Sequence, residues 1–197
     1  MGSIMSAVVS ADMSGTVINE KELTYFTNLS ETYSDDPGLL LFLLLNFVSL
    51  EPGDFLYVSP RVTHAYLSGN VVEITSNSDN VIRCGLTPKH VNAQEFLSIA
   101  SFVSDKPQIQ KPAETHHSYE SPTPFMLTRL HLNEEFETAV NGPEILISTQ
   151  NNFNITNNKG ESIHVEQGQP VWVPHSDSSY KITGNCLVFR CAINPNS

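Results

Sequence analysis

The hydrophobic rhythm of the chain changes along its length. Near the start, Asn19-Glu20-Lys21-Glu22-Leu23 offers an Asn cap and acids in the first turn, and apolar Leu23, Phe26 and Leu29 then fall at helical spacing, which predicts a short helix. After Pro37-Gly38 comes an apolar run from Leu39 to Val48. Its leucines lack β-branching, so it is expected to begin as helix and pass into strand by Phe47. Short β-rich runs bounded by turn residues follow: Phe55 to Ser59, Val71 to Thr75, Phe125 to Leu132, Glu144 to Ser148, Phe153 to Thr156, Ser162 to Val165, Val171 to Val173, Tyr180 to Thr183 and Leu187 to Ile193. Many short strands at this spacing predict an all-β barrel or sandwich. One helix interrupts them at Asn92-Ala93-Gln94-Glu95-Phe96-Leu97, with Phe96, Leu97, Ala100 and Phe102 as its apolar positions. The segment from Lys106 to Pro124 carries Pro107, Pro112, Pro122 and Pro124 and reads as a meandering connection between two β-rich parts.

Those two parts share a local pattern. Glu51-Pro52-Gly53-Asp54 leads through Phe55-Leu56-Tyr57-Val58 to Pro60, and Gln167-Gly168-Gln169-Pro170 leads through Val171-Trp172-Val173 to Pro174. Each is a turn, a strand and a proline exit, which in a small barrel ends a wall strand at the rim. The first copy places His64 four residues past its proline; the second has Ser178 at that offset. If one barrel carries a metal, it is the first.

Composition narrows the function. The chain has 197 residues, enough for one large or two small domains. Ten Lys and Arg against 21 Asp and Glu give a formal net charge of −11, which argues against nucleic-acid and membrane-surface partners. The run from Leu39 to Val48 is too short to span a bilayer, and no secretory signal is recognisable, so a cytosolic location is the default expectation. Cys84, Cys186 and Cys191 lack any Cys-x-x-Cys arrangement and read as free core thiols. Met1-Gly2-Ser3-Ile4-Met5-Ser6 formally fits an N-myristoylation pattern, but nothing polybasic follows it.

Candidate chemistry gathers between Thr63 and Lys89. His64 is either a metal ligand or a hydrogen-bonded rim histidine; spacing alone does not decide, because no His-x-His, His-x-x-x-His or Cys-x-x-Cys occurs in the chain. Glu73, a lone acid in Val71-Val72-Glu73-Ile74, shares a face with Val71 and points either into a barrel, where it would need a partner, or to water, which the pattern favours. Arg83 and Lys89 flank the turn Cys84-Gly85-Leu86-Thr87-Pro88, where two cations on an acidic protein suit a phosphate or a developing oxyanion, although scattered surface cations are commoner. His116, His117 and Glu120 form a second cluster, but adjacent histidines tend to project in different directions.

The texts "LLLNFVSLEPGD", "HAYLSGN" and "NSDNVIRCGLTPK", with the helix after them, resemble the type I mannose-6-phosphate isomerases of the cupin superfamily over residues 36 to 103. Residues 125 to 193 are compatible with that family's C-terminal cupin domain. The resemblance implies a mainly β fold of cupin-type barrels, the remnant of a bicupin, with a few short helices. It divides the chain into residues 1–35 as the remnant of a helical insertion, 36–105 as part of the metal-bearing barrel plus a helix, 106–124 as a Pro-rich connection and 125–197 as the C-terminal cupin domain. It also implies a zinc-dependent enzyme that interconverts mannose 6-phosphate and fructose 6-phosphate, with a sugar phosphate as its small-molecule partner. By position, His64 is similar to the zinc ligand, Arg83 to the catalytic arginine, and Tyr66, Glu73 and Lys89 to residues around the sugar, the metal and the phosphate. Two departures stand out. The family draws three further zinc ligands from an N-terminal domain that is missing here, and Arg61-Val62-Thr63 replaces a small residue and a proline before the histidine. The resemblance thus implies an isomerase represented by its C-terminal half and silent alone; the competing reading is a non-catalytic cupin module that binds a sugar phosphate or a protein.

Overall fold

The computed structural model describes residues 18–104, 106–113 and 115–195, which form two units. The myristoylation pattern at Gly2 lies outside the described residues.

The first unit takes in residues up to Ser49, Val58–Val71 and Asn77–Pro107. Its helix α1 spans Glu20–Thr32 and opens on a full capping box: Asn19 accepts from the Glu22 N–H while the Glu22 side chain accepts from the Asn19 N–H. Phe26 on the apolar stripe of α1 is buried and meets the Phe42 ring at 6.1 Å. The second helix, α2, covers Gly38–Phe42. The apolar run stays helical only that far and then enters a turn; the strand expected by Phe47 does not form, and Phe47 instead packs its ring against Tyr25 under the Lys21 ammonium. The last helix, α3, covers Ala93–Ile99 with Asn92 as its cap. Of its apolar positions Phe96 is buried, whereas Leu97 and Phe102 are exposed.

The second unit comprises Leu50–Tyr57, Val72–Ser76 and residues from Gln108 onward. Strands β1 (Phe55–Leu56) and β2 (Ile109–Gln110) form a short antiparallel pair. Strand β3 (His116–Ser118) lies beside β4 (Phe125–Leu132), so the Pro-rich connection contains two short strands rather than only meandering chain. Its prolines fall outside both strands, which leaves the strand N–H groups free to pair. The remaining strands are β5 (Phe136–Ala139), β6 (Glu144–Gln150), β7 (Phe153–Asn157), β8 (Ser162–Val165), β9 (Pro170–Val173), β10 (Ser179–Thr183) and β11 (Cys186–Ile193). They make a four-stranded sheet β5-β10-β7-β8 and a five-stranded sheet β3-β4-β11-β6-β9.

The sequence pattern explains this sandwich. Alternation puts Leu130, Leu132, Leu146, Val173 and Val188 of one sheet and Phe153, Ile155, Val165, Tyr180 and Ile182 of the other into a single buried cluster. β11 pairs with β4 along its whole length, from Cys186 opposite Leu132 to Ile193 opposite Phe125. Against β6 its register shifts at Leu187 and Val188, where the Ser148 hydroxyl lies within hydrogen-bonding distance of the Gln150, Asn151 and Leu187 carbonyls. A bulge leaves backbone groups unpaired, and the single proton of this buried hydroxyl can serve one of those carbonyls at a time. Both turns of the internal pattern carry a glycine at positive φ, Gly53 at +93° and Gly168 at +81°, which explains why each needs one.

One charge lies in this core. Glu144 is 1% exposed, yet Arg190 Nε donates to its Oε2 at 2.6 Å, Arg190 Nη2 donates to its Oε1, and the Tyr180 hydroxyl donates to Oε2 at 2.8 Å. Burial, aided by the Glu144 charge and opposed by the Arg190 charge, pushes the Tyr180 hydroxyl far above its usual range, so it serves as a fixed donor.

Candidate functional site: the 61–68 and 83–89 loops

The two loops that hold most of the candidate residues belong to the first unit, and each is tied down by backbone bonds. In the first, Arg61 takes a positive φ of 72°. Its carbonyl accepts from the Ser101 N–H at 2.8 Å, its Nε donates to the Ile99 carbonyl, and Val62 bridges to Ser101. This loop therefore hangs from the C-terminal end of α3. Its far end is held by α1, through the hydrogen bond between the Ser68 and Tyr25 hydroxyls.

Between those anchors, His64 Nδ1 lies 2.9 Å from the Val62 carbonyl. A carbonyl only accepts, so in the neutral ring the proton sits on Nδ1 and Nε2 keeps its lone pair. That is the tautomer an imidazole needs to ligate a metal through Nε2, set by the same kind of backbone partner that metal-ligating histidines use. His64 is exposed, with the equally exposed Tyr66 edge-on to its ring at 5.9 Å.

The second loop is clamped by a residue that the sequence reading passed over. Asp36 precedes α2, and its Oδ1 accepts from the Gly38 N–H at 2.8 Å while its Oδ2 accepts from the Leu86 N–H at 2.8 Å. Leu86 has a φ of +54° and Gly85 a φ of +142°. A Cβ at Gly85 would collide with the Asp36 carboxylate and sit 2.9 Å from Gly38 Cα, so only glycine lets the two backbones approach. Downstream, the Thr87 hydroxyl accepts from the Lys89 N–H at 3.2 Å. Arg83 is half-buried and Lys89 exposed at the two ends of this fixed turn. Asp-Asp-Pro-Gly before an apolar helix did signal the local Asx turn; the reach of Asp36 to Leu86 has no local signature.

The structure thus places His64, Tyr66, Arg83 and Lys89 in one unit, while Glu73 falls in the other. Residues 71–75 form no ladder, contrary to the strand expected there, but burial still alternates: Val72 and Ile74 are half-buried, and Val71, Glu73 and Thr75 are exposed. Glu73 accordingly lies on the exposed face. His116 and His117 sit on β3 and face different neighbours, His116 the Phe136 ring at 5.1 Å and His117 the Tyr119 ring at 4.9 Å. Among the described residues no three His, Cys, Asp or Glu side chains come together to hold a metal. His64 by itself therefore does not fit a closed zinc site, which takes three or four protein ligands. No helix among the described residues is long and apolar enough to cross a membrane.

Mannose-6-phosphate isomerase 2 of Arabidopsis thaliana is 29% identical to this chain over 187 residues, a match to 88% of the chain and 40% of the relative. Mannose-6-phosphate isomerase of Escherichia coli K12 is 31% identical over 168 residues, a match to 82% of the chain and 43% of the relative. The chain is a relative of the mannose-6-phosphate isomerases. It spans about two-fifths of the length of these curated relatives. The Salmonella typhimurium mannose 6-phosphate isomerase, solved bound to its substrate and a zinc atom, shares the fold at a TM-score of 0.76 and 21% identity, over 98% of this chain and 54% of that one. The mainly β architecture is therefore common to this chain and that isomerase. No protein-family model matches the sequence.

Proposed function

We propose that this chain carries part of the active site of a mannose-6-phosphate isomerase and is catalytically silent by itself. The observation that supports this most strongly is the Asp36 clamp, which fixes the turn bearing Arg83 and Lys89 in a relative of enzymes that bear that name. A half-buried guanidinium on a rigid turn suits the stabilisation of negative charge that builds on an enediolate as a proton moves between C1 and C2 of the sugar. Lys89, exposed at the other end of the turn, suits the substrate phosphate. Tyr66 offers an amphipathic wall for the sugar.

His64 contributes one nitrogen to zinc in this reading. Among the described residues no further candidate ligands gather with it, so in this reading the other ligands come from a further polypeptide segment, the N-terminal domain of the family. Combining this chain with that segment from the E. coli relative and following conversion of mannose 6-phosphate to fructose 6-phosphate tests the reading. Turnover that appears on combination and is lost with Arg83→Ala is the expected result. Sugar-phosphate binding without turnover in the assembled pair would favour the non-catalytic cupin module instead.

A further inference from the structure

Strand β4 sends Thr128, Leu130 and Leu132 into the core, so Arg129 and His131 project from the opposite, outer face of the five-stranded sheet. The β3 register sets His117 directly across from Arg129, with its Cβ about 5 Å away on that same face, and His131 follows two residues on at about 7 Å. All three are half-buried. Arg129 Nε lies beside Gly53, 3.4 Å from where a Cβ on that residue would stand. Among the described residues the Arg129 guanidinium makes no hydrogen bond and no ion pair. The other arginine of this unit, Arg190, has both prongs on the Glu144 carboxylate. Asp54, next to Gly53, does not serve Arg129; it accepts from the Glu51 N–H and the Lys111 ammonium instead. No buried side-chain nitrogen or oxygen among the described residues lacks a partner, so the open donors of Arg129 face solvent.

We propose that Arg129, His117 and His131 bind the phosphate group of a small ligand, either free phosphate or a phosphomonoester. A guanidinium presents two parallel N–H donors that match two oxygens of one anion. That fork alone would use up a carboxylate. The imidazoles across the ladder and along the strand add donors from other directions, which only an anion with a third oxygen can engage. Acids outnumber cations in this chain by 21 to ten, yet none is placed on this guanidinium. Its half-buried position makes a charge-assisted bond there stronger than on open surface. The ordinary alternative is an arginine stem laid over Phe189, its partner on β11, with the head in water; that arrangement needs neither histidine. These residues belong to the second unit, whereas His64, Arg83 and Lys89 belong to the first, so the inference does not rest on the isomerase reading.

The test titrates the full chain with inorganic phosphate, glycerol phosphate and acetate at neutral pH and constant ionic strength, and follows the imidazole ring protons of His117 and His131 by NMR. Both sets of signals are expected to move saturably with the two phosphates, and the tighter of these names the source. Arg129→Gln should weaken phosphate binding by about tenfold or more, the loss expected for hydrogen bonds to a charged group, with Arg129→Lys between it and wild type. Arg83→Ala with Lys89→Ala should leave these shifts in place. Signals that do not move, that move as readily with acetate, or that move equally in folded Arg129→Gln overturn the proposal, as do shifts that vanish with the Arg83 and Lys89 replacements. Should Arg129→Gln fail to fold, the wild-type contrast between phosphate and acetate still decides.

Discussion

Asp36 and Leu86 stand 50 residues apart in the chain, and the carboxylate of one accepts the backbone N–H of the other at 2.8 Å. With its second oxygen on the Gly38 N–H, Asp36 staples the start of α2 to the turn between Arg83 and Lys89. Asp36→Ala leaves two backbone donors without that partner in a half-buried place, and is expected to lower stability by about 1–3 kcal/mol. Urea denaturation measures the loss, and hydrogen exchange at 84–87 should accelerate with it. An unchanged midpoint with unchanged exchange would mean that the turn holds its shape without the clamp.

The Glu144, Arg190 and Tyr180 cluster makes a prediction about sign. Removing Glu144 alone leaves the Arg190 guanidinium buried without its carboxylate, so Glu144→Ala should cost about 3–5 kcal/mol. Replacing the pair together with apolar residues of similar volume, Glu144→Leu with Arg190→Met, should cost less than the single change. Thermal unfolding of both variants decides it; a double variant less stable than Glu144→Ala would show that the pair stabilises beyond satisfying its own charges.

The sandwich was legible in the sequence for a physical reason. Strands β4 and β10 fall where their alternation predicts, at Phe125–Leu132 and, to within one residue, at Ser179–Thr183, because each has one face in the core and one facing out. The region from Phe47 to Thr75 was not legible in the same way: the residue types favour strand, but a ladder also needs a partner strand, and only Phe55–Leu56 finds one there. Of the candidate site, the tautomer-fixed His64 and the turn around Gly85 were marked by residue type, whereas the Asp36 clamp depends on a contact between distant segments that no local pattern carries.

Acid should act on the β1–β2 region through Asp54. The Glu51 N–H and the Lys111 ammonium hold its carboxyl below the ordinary carboxylate range against the opposing effect of burial. A depressed folded-state value contributes stability above the unfolded value of about 3.9, and that contribution is lost as pH falls through the folded value. Wild type is therefore expected to exceed Asp54→Asn in stability at neutral pH, with the gap closing below about pH 4. Denaturation curves collected across that range check the sign; a gap that widens in acid contradicts it.

The thiols of Cys84, Cys186 and Cys191 are all free, and burial, the first cause in each case, raises their pKa values. Thiolate is the reactive form, so all three should react with a disulfide reagent at pH 7 more slowly than a free cysteine, and Cys186, buried in the sandwich, slowest. Mass spectrometry of a timed labelling reaction ranks them. Rapid labelling of Cys186 would mean that the sandwich opens locally.

The central claim is that His64 and the Arg83 turn belong to an incomplete isomerase site. Its most direct test is the zinc content of the purified, metal-replete chain, measured together with mannose 6-phosphate turnover and with Arg83→Ala as the control. Zinc well below one per chain and no turnover is the result predicted here. One zinc per chain, with turnover that Arg83→Ala abolishes, would contradict it and would place a full set of ligands within this polypeptide.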